Sequence, residues 1–165
     1  MSNINRWKVP EYSKSQIIQA GKIIKNPSAS PEEFMNALKV IDNWRASHAY
    51  PLHIIYCNLR RNYNKNGYIV AQRLKRLDSI VIKLNREPTM SLWTMQDLGG
   101  CRLIVPSVKD VYDAVDKYKG SRVRHILIRE YDYIKQPKIS GYRSYHLVYK
   151  YQSDTKDTYN RNMLI

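Results

Sequence analysis

Cysteine is scarce in this sequence: only Cys57 and Cys101 occur in 165 residues. Their spacing fits no metal-ligand pattern, and two are too few for a disulfide framework. Both are expected as reduced thiols, with Cys101, beside an apolar run, as a small buried residue. Long apolar runs are missing as well. No segment approaches the roughly 18 to 20 apolar residues of a membrane span. The stretch Met1 to Pro10 is polar and lacks the apolar centre of a secretory signal. These absences place the chain in the cytoplasm with no membrane partner. Internal repeats and low-complexity tracts are absent too, so no repeat array or biased tail is expected.

Acid is the other shortage. Asp and Glu total 14 against 28 Lys and Arg, a net charge of +14. Such an excess calls for a polyanion: nucleotide phosphates, RNA or an anionic surface. A solvated basic face that aids solubility is the plainer alternative. Hydrophobic residues make up 43% and charged residues 25%, a globular rather than a disordered balance. The length suits one domain able to bury a core without staples.

Apolar spacing predicts a helix over Ser13 to Ile24, ended by Asn26-Pro27-Ser28. Ser30-Pro31-Glu32-Glu33 opens a second helix, with Ser30 as N-cap, Pro31 in the first turn and acids beside it. It should run to about Ser47 and bury Phe34, Leu38, Ile41 and Trp44. A third helix follows Pro51 and ends near Asn62. After Asn66-Gly67 the pattern changes. Tyr68 to Val70 reads as a short strand. Leu74 to Asn85 reads as a helix with Leu77, Ile80, Val81 and Leu84 on one side. Arg102 to Val105 is a strand, Val108 to Tyr118 a helix, and Val123 to Tyr133 and Tyr145 to Tyr151 strands. Met163 to Ile165 begins one more. The order places a helical region at 1–66 before a core at 67–165, together one domain of α+β class: a mixed sheet flanked by helices.

Three constellations could carry chemistry. In RLKRLDSIVIKLNR, the residues Ser79, Lys83 and Arg86 share a helical face. Arg73 and Lys75 are expected near that helix's N-terminus, where the backbone dipole also attracts anions. The face suits a polyphosphate; it equally suits the solvated side of an ordinary amphipathic helix. Next, Asp97 precedes a Gly99-Gly100 turn and a strand. An acid there can serve Mg²⁺, which takes one or two carboxylates alongside substrate phosphates, or it can simply cap the turn. The glycines permit close backbone approach, and Arg102 could stack its guanidinium plane on a base. Last, the turn-rich loop Lys135 to His146 carries Lys138 and Arg143 for phosphate, Tyr142 for base stacking, and His146 as hydrogen-bond donor, acid or base. A strand histidine with a structural role is the plainer reading of His146. No activated serine or cysteine nucleophile is visible.

The three segments read R-x-K-x-x-x-S-x-x-x-K, D-L-x-G-x-R and P-K-x-x-G-Y-x-S-x-H, in that order. Their combination resembles the synthetase domain of the RelA/SpoT family, the alarmone synthetases, over about Tyr68 to Ile165. Trp44 to Leu52 looks like a segment of small, toxin-like single-domain members. The resemblance implies a nucleotidyltransferase-like mixed sheet and transfer of the β,γ-pyrophosphate of ATP, with Mg²⁺, to a ribose 3′-hydroxyl. It implies Arg73 and Arg102 around adenine, with Lys75, Ser79 and Lys83 on the triphosphate. Asp97 would hold the metal. Tyr142 would stack on the acceptor base, with Lys138, Arg143 and His146 on the acceptor side. Asp97, Lys83 and His146 would be the catalytic groups. The acceptor implied is GDP or GTP, an adenine nucleotide, or the tRNA 3′ end in toxin-like members, whose partner would be an antitoxin. Transfer to phosphorus relies on positioning and on cations that neutralise developing charge, and a site rich in cations fits it.

Two positions depart from the family pattern. Ser140 stands where members usually carry Asn, which puts guanine specificity in question. The family continues with a strand carrying E-x-Q-x-R, whose glutamate is a second metal ligand, and no residue here takes that role. The chain is therefore expected to be weak or inactive by itself and to need a partner segment that completes the sheet. A non-catalytic nucleotide- or RNA-binding module is the alternative. Plain nucleic-acid binding ranks behind both, because it accounts for the charge but not for three ordered motifs.

Overall fold

The computed structural model describes residues 7–63, 67–153 and 157–165. The polar start Met1 to Arg6, and Asn66 at the expected helical-to-core boundary, lie outside the described residues. The elements run α1 (Lys14–Ile24), α2 (Pro31–Ala46), α3 (Ala49–Tyr63), β1 (Ile69–Leu74), α4 (Leu77–Arg86), β2 (Gly99–Ile104), α5 (Val108–Lys119), β3 (Ile126–Asp132), β4 (Tyr145–Lys150) and β5 (Asn162–Leu164). Single 3₁₀ turns occupy Leu92–Thr94 and Asp157–Tyr159. No helix of the described residues is long and apolar enough to cross a membrane.

Local chemistry sets the first helices. Ser13 caps α1: its Oγ accepts from the Gln16 amide while the Gln16 side chain accepts from the Ser13 amide. Ser30 and Glu33 do the same for α2, with Pro31 in the first turn. Each reciprocal pair satisfies two amides that a helix start leaves orphaned.

The chain divides into two units. The first comprises Met1–Tyr50 and Leu74–Gly99. Its core joins Ile17, Ala20 and Ile24 of α1, Ala37, Ile41 and Trp44 of α2, Ile80 and Leu84 of α4, and Leu92, Met95 and Leu98 of the following segment. Phe34, Leu38, Leu77 and Val81 pack against that cluster while partly exposed. The Trp44 and Trp93 rings stack with centroids 4.8 Å apart.

The second unit comprises Pro51–Arg73 and Gly100–Ile165. It holds a five-stranded sheet in the order β1-β2-β5-β4-β3. β5 runs parallel to β2 and antiparallel to β4, and β3 pairs antiparallel with β4, so the sheet is mixed. Buried Leu52, Ile55 and Leu59 of α3, Ala114 and Tyr118 of α5, and Leu147 to Tyr149 of β4 form its interior. Tyr63 Oη donates to the Ala114 carbonyl at 3.0 Å. Burial pushes the Cys101 thiol up to about 12, as expected of an inert interior cysteine. Cys57 is free and exposed.

Three local expectations are corrected, and the last expected strand takes a defined place in the sheet. β1 continues through Leu74 and α4 opens at Leu77, three residues later than expected, so Arg73 lies on a strand and Lys75 in the connection just before the helix cap. The reason is tertiary: the Lys75 amide donates to the Leu98 carbonyl at 2.8 Å, which keeps the chain extended until α4 opens after Arg76. Gly99 and Gly100 are strand residues, not a turn. A Cβ on Gly100 would sit 3.2 Å from the Leu164 carbonyl oxygen, so the glycine admits β5 rather than reversing the chain. β3 begins at Ile126, three residues late, because Val123 is still turning onto the Ser121 carbonyl. Finally, β5 is an interior strand. Leu164 pairs with Gly100 on one side and Val148 on the other, and Ile165 exchanges two 2.8 Å hydrogen bonds with Leu147. Among the described residues, β2 meets β5 at that single pair.

Candidate functional site

In the first unit, α4 presents Ser79 and Lys83 one turn apart on the same face, both partly buried. The neighbouring stripe, Ile80 and Leu84, is wholly buried and locks the helix's rotation. The segment bearing Asp97 is anchored by the fully buried Leu98. Lys83 Nζ lies 2.9 Å from Asp97 Oδ1, and Lys75 Nζ lies 3.0 Å from Oδ2. Two cations thus grip one carboxylate whose side chain is 29% exposed. Burial works to raise the Asp97 pKa, but hydrogen bonds and charge from Lys83 and Lys75 outweigh it and hold the carboxyl below its ordinary value. Arg86, the last member of that expected face, pairs instead with the neighbouring Glu87 at 3.1 Å.

In the second unit, Arg73 and Arg102 stand exposed on β1 and β2, which are neighbours in the sheet. Arg102 also lines a cavity of about 160 Å³ together with Tyr142 and His146; its floor is apolar, built from Leu103, Val111 and Leu147 among others. Arg143 lines a shallower groove with Arg102, Tyr142 and Tyr145.

The loop after β3 folds back on itself. The Gly141 amide donates to the Lys138 carbonyl at 2.8 Å and the Lys138 amide to the Tyr142 carbonyl at 3.2 Å. Gly141 makes this possible with φ +77°, a left-handed value that only glycine adopts freely. Tyr142 Oη and His146 Nε2 are 2.9 Å apart. Lys138 Nζ hangs 4.6 Å above the Tyr133 ring and 5.6 Å from that of Tyr142. Ser140, the departure from the family pattern, is exposed near the tip.

The structure therefore brings Lys75, Lys83 and Asp97 together, and separately Lys138, Tyr142 and His146. Tyr133 joins the second group without having been singled out from the sequence. The signal was there: Tyr131, near the end of β3, and Tyr133, just past it, stand two residues apart, and Tyr131 is the register partner of His146. The Trp44 to Leu52 segment serves packing. Trp44, Ser47, His48 and Leu52 are buried, and Ser47 Oγ and His48 Nδ1 both bond the Trp44 carbonyl.

Among the described residues no three His, Cys, Asp or Glu side chains group to hold a metal. Asp97 is a single carboxylate with both oxygens already engaged by lysines. Such a donor set fits Mg²⁺ arriving on a polyphosphate, whose oxygens complete the shell, and does not fit a cage built by the protein alone.

Comparison with known proteins supplies the family. The sequence model described as "Region found in RelA / SpoT proteins" matches residues 72–161. The chain is 38% identical over 88 residues to the GTP pyrophosphokinase YjbM of Bacillus subtilis, a match covering 52% of this chain and 41% of that protein. Among solved structures, the small alarmone synthetase 1 of Bacillus subtilis, bound to its product pppGpp, superposes with a TM-score of 0.63 at 27% identity; the match covers 75% of this chain and 70% of that one. A GTP pyrophosphokinase family protein of Streptococcus pneumoniae gives 0.61 at 28% identity, covering 75% and 68%. The chain thus spans less than half the length of the curated relatives it matches.

Proposed function

The chain belongs to the RelA/SpoT family, and on that footing we propose that it transfers pyrophosphate from ATP to the ribose 3′-hydroxyl of GDP or GTP. The observation that carries the reading is the grip of Lys75 and Lys83 on Asp97. Two ammonium groups beside one depressed carboxylate form a ready receptor for a magnesium-bound triphosphate. With both lysines turned to the phosphates, Asp97 would be the residue that holds the ion. Its low pKa keeps it ionised for that task at neutral pH.

In this reading Lys75, Ser79 and Lys83 hold the triphosphate, and Asp97 supplies the protein's oxygen to Mg²⁺. The ion contributes neutralisation of charge on the phosphoryl oxygens. Arg73 and Arg102 flank adenine, and exposure on neighbouring strands leaves both guanidinium planes accessible for stacking. Tyr142 takes the acceptor base, and His146, hydrogen-bonded to it, stands with Lys138 and Arg143 on the acceptor side. The 3′-oxygen attacks the β-phosphorus, the bond from the α-phosphate oxygen to that phosphorus breaks, and AMP leaves; the hydroxyl proton passes to solvent or a nearby base.

Guanosine nucleotide is preferred as acceptor because the relatives are named for it: the YjbM protein as a GTP pyrophosphokinase, the solved synthetase as bound to pppGpp. The likeness to toxin-like members gives tRNA less support, since the residues that carry it are largely buried in the core. One observation favours a second reading, a nucleotide-binding module without turnover: among the described residues no three His, Cys, Asp or Glu side chains group to hold a metal, so the ion would depend on Asp97 and the substrate's own oxygens.

Incubation with γ-³²P-ATP and Mg²⁺, with GDP, GTP, ATP and tRNA supplied separately as acceptors, decides among these. Label moving onto guanosine nucleotide supports the proposal. Label on tRNA alone replaces the acceptor. ATP binding without movement of label onto any acceptor leaves the binding module.

A further inference from the structure

Tyr142 is 38% exposed on a loop, so a stacking surface there needs something to hold its plane. Tyr133, the residue just past β3, has the contacts to do so. Its ring meets Tyr142 at 6.1 Å between centroids and 65° between planes, and meets His146 at 5.2 Å and 87°. Both are edge-to-face geometries, in which one ring's positive edge addresses another's negative face. Tyr133 also lies parallel to Tyr131, 5.7 Å apart and 4° between planes. Lys138 Nζ caps it at 4.6 Å. Its amide donates to the Ser144 carbonyl at 2.9 Å, which ties the end of β3 to the returning arm of the loop. Tyr131 itself is held by register opposite His146. Tyr133 thus touches Tyr142, His146 and Lys138 together.

We propose that Tyr133 is a positioning residue: it sets the plane of Tyr142 and the orientation of the His146 imidazole, and through them the affinity for a purine acceptor. The acceptor half of this statement rests on the proposed function; the positioning half does not. Its contribution comes from the ring and not the hydroxyl, because every side-chain contact described above is made by the ring face or edge.

The test uses the full chain with Tyr133→Ala, Tyr133→Leu and Tyr133→Phe, each checked for fold by circular dichroism. The first readout needs no ligand: the ¹⁵N shift of His146 Nε2 at fixed pH, which reports the hydrogen bond to Tyr142 and is little moved by ring currents. In Tyr133→Ala it should move toward the value in Tyr142→Phe, where that bond is gone, and in Tyr133→Phe it should stay at the wild-type value. The second readout is calorimetric titration with GDP and with Mg-ATP. Tyr133→Ala should weaken GDP about tenfold and ATP less than about twofold, with Tyr133→Phe restoring GDP binding. Should the alanine variant fail to fold, leucine, which keeps bulk without a ring, carries the same expectations. An unchanged His146 shift in the alanine or leucine variant, equal loss of both nucleotides, or no rescue by phenylalanine overturns the proposal. If the wild type binds no guanosine nucleotide, the proposed function fails, and the ¹⁵N shift alone decides the role of Tyr133.

Discussion

Lys83 Nζ stands 2.9 Å from Asp97 Oδ1 across fourteen residues of sequence. Lys75 takes the other oxygen from the opposite end of the segment. The arrangement puts a carboxylate where two cations would otherwise repel, and makes all three available together to an incoming polyphosphate.

Replacing Asp97 by Asn keeps the shape and removes the charge. Transfer of label from ATP should fall roughly 100-fold or more, as for loss of a group that acts on developing charge. Far-ultraviolet circular dichroism should be unchanged, since the side chain lies at the edge of the core. Wild-type turnover in this variant would remove Asp97 from the metal site.

The same pair makes an acid-sensitivity prediction. The Asp97 pKa is lowered in the folded chain: burial opposes this, and the hydrogen bonds and charge of Lys83 and Lys75 prevail. A depressed carboxyl contributes stability that is complete above its unfolded pKa and is lost as pH falls through the folded one. The stability gap between wild type and Asp97→Asn should therefore be flat near neutrality and close below about pH 4. Comparing the two proteins cancels Glu33, Asp110 and Asp132, which are also depressed by their own partners. Urea melts at a series of pH values measure it; a gap independent of pH would mean the ion pairs do not form in solution.

Tyr142→Ala should raise the acceptor's KM or Kd about tenfold while ATP affinity stays near wild type, the effect of losing one stacked ring. Equal weakening of both nucleotides would show that Tyr142 does not belong to the acceptor side.

Arg102→Ala should weaken Mg-ATP binding about tenfold, and Arg102→Lys should fail to restore it, because a compact ammonium cannot stack as a planar guanidinium does. Arg73 should behave alike. Rescue by lysine would make the contribution one of charge alone.

Two glycines should respond differently. Gly141→Ala meets open space but must hold φ +77°, which costs about 1 kcal/mol. Gly100→Ala pushes a Cβ to 3.2 Å from the Leu164 carbonyl oxygen and 3.4 Å from its Cβ, overpacking worth about 2 kcal/mol. Urea denaturation midpoints should order them wild type, Gly141→Ala, Gly100→Ala.

Much of the architecture was legible from residues close in sequence. Ser30 with Glu33, and Pro31 behind the cap, act within a single turn, so α2 opens where the pattern places it; the Ile80-Leu84 stripe marked α4 and its buried face, though not its first turn. Gly141 announced its turn for the same reason. Three motifs in order were enough to reach the family. The errors fall where a distant partner decides. The amide of Lys75 finds Leu98 and stays extended, and Gly100 makes room for Leu164 rather than turning.

The sequence by itself determined the helices, the basic balance, and which residue types could meet a nucleotide, because capping, periodicity and charge are properties of neighbours along the chain. Only the tertiary structure decided that Asp97 is shared by Lys75 and Lys83, that β5 lies inside the sheet, and that Tyr133 braces Tyr142 and His146. Those depend on strand register and on side chains brought together by burial, where a shift of one residue turns every contact to the other face.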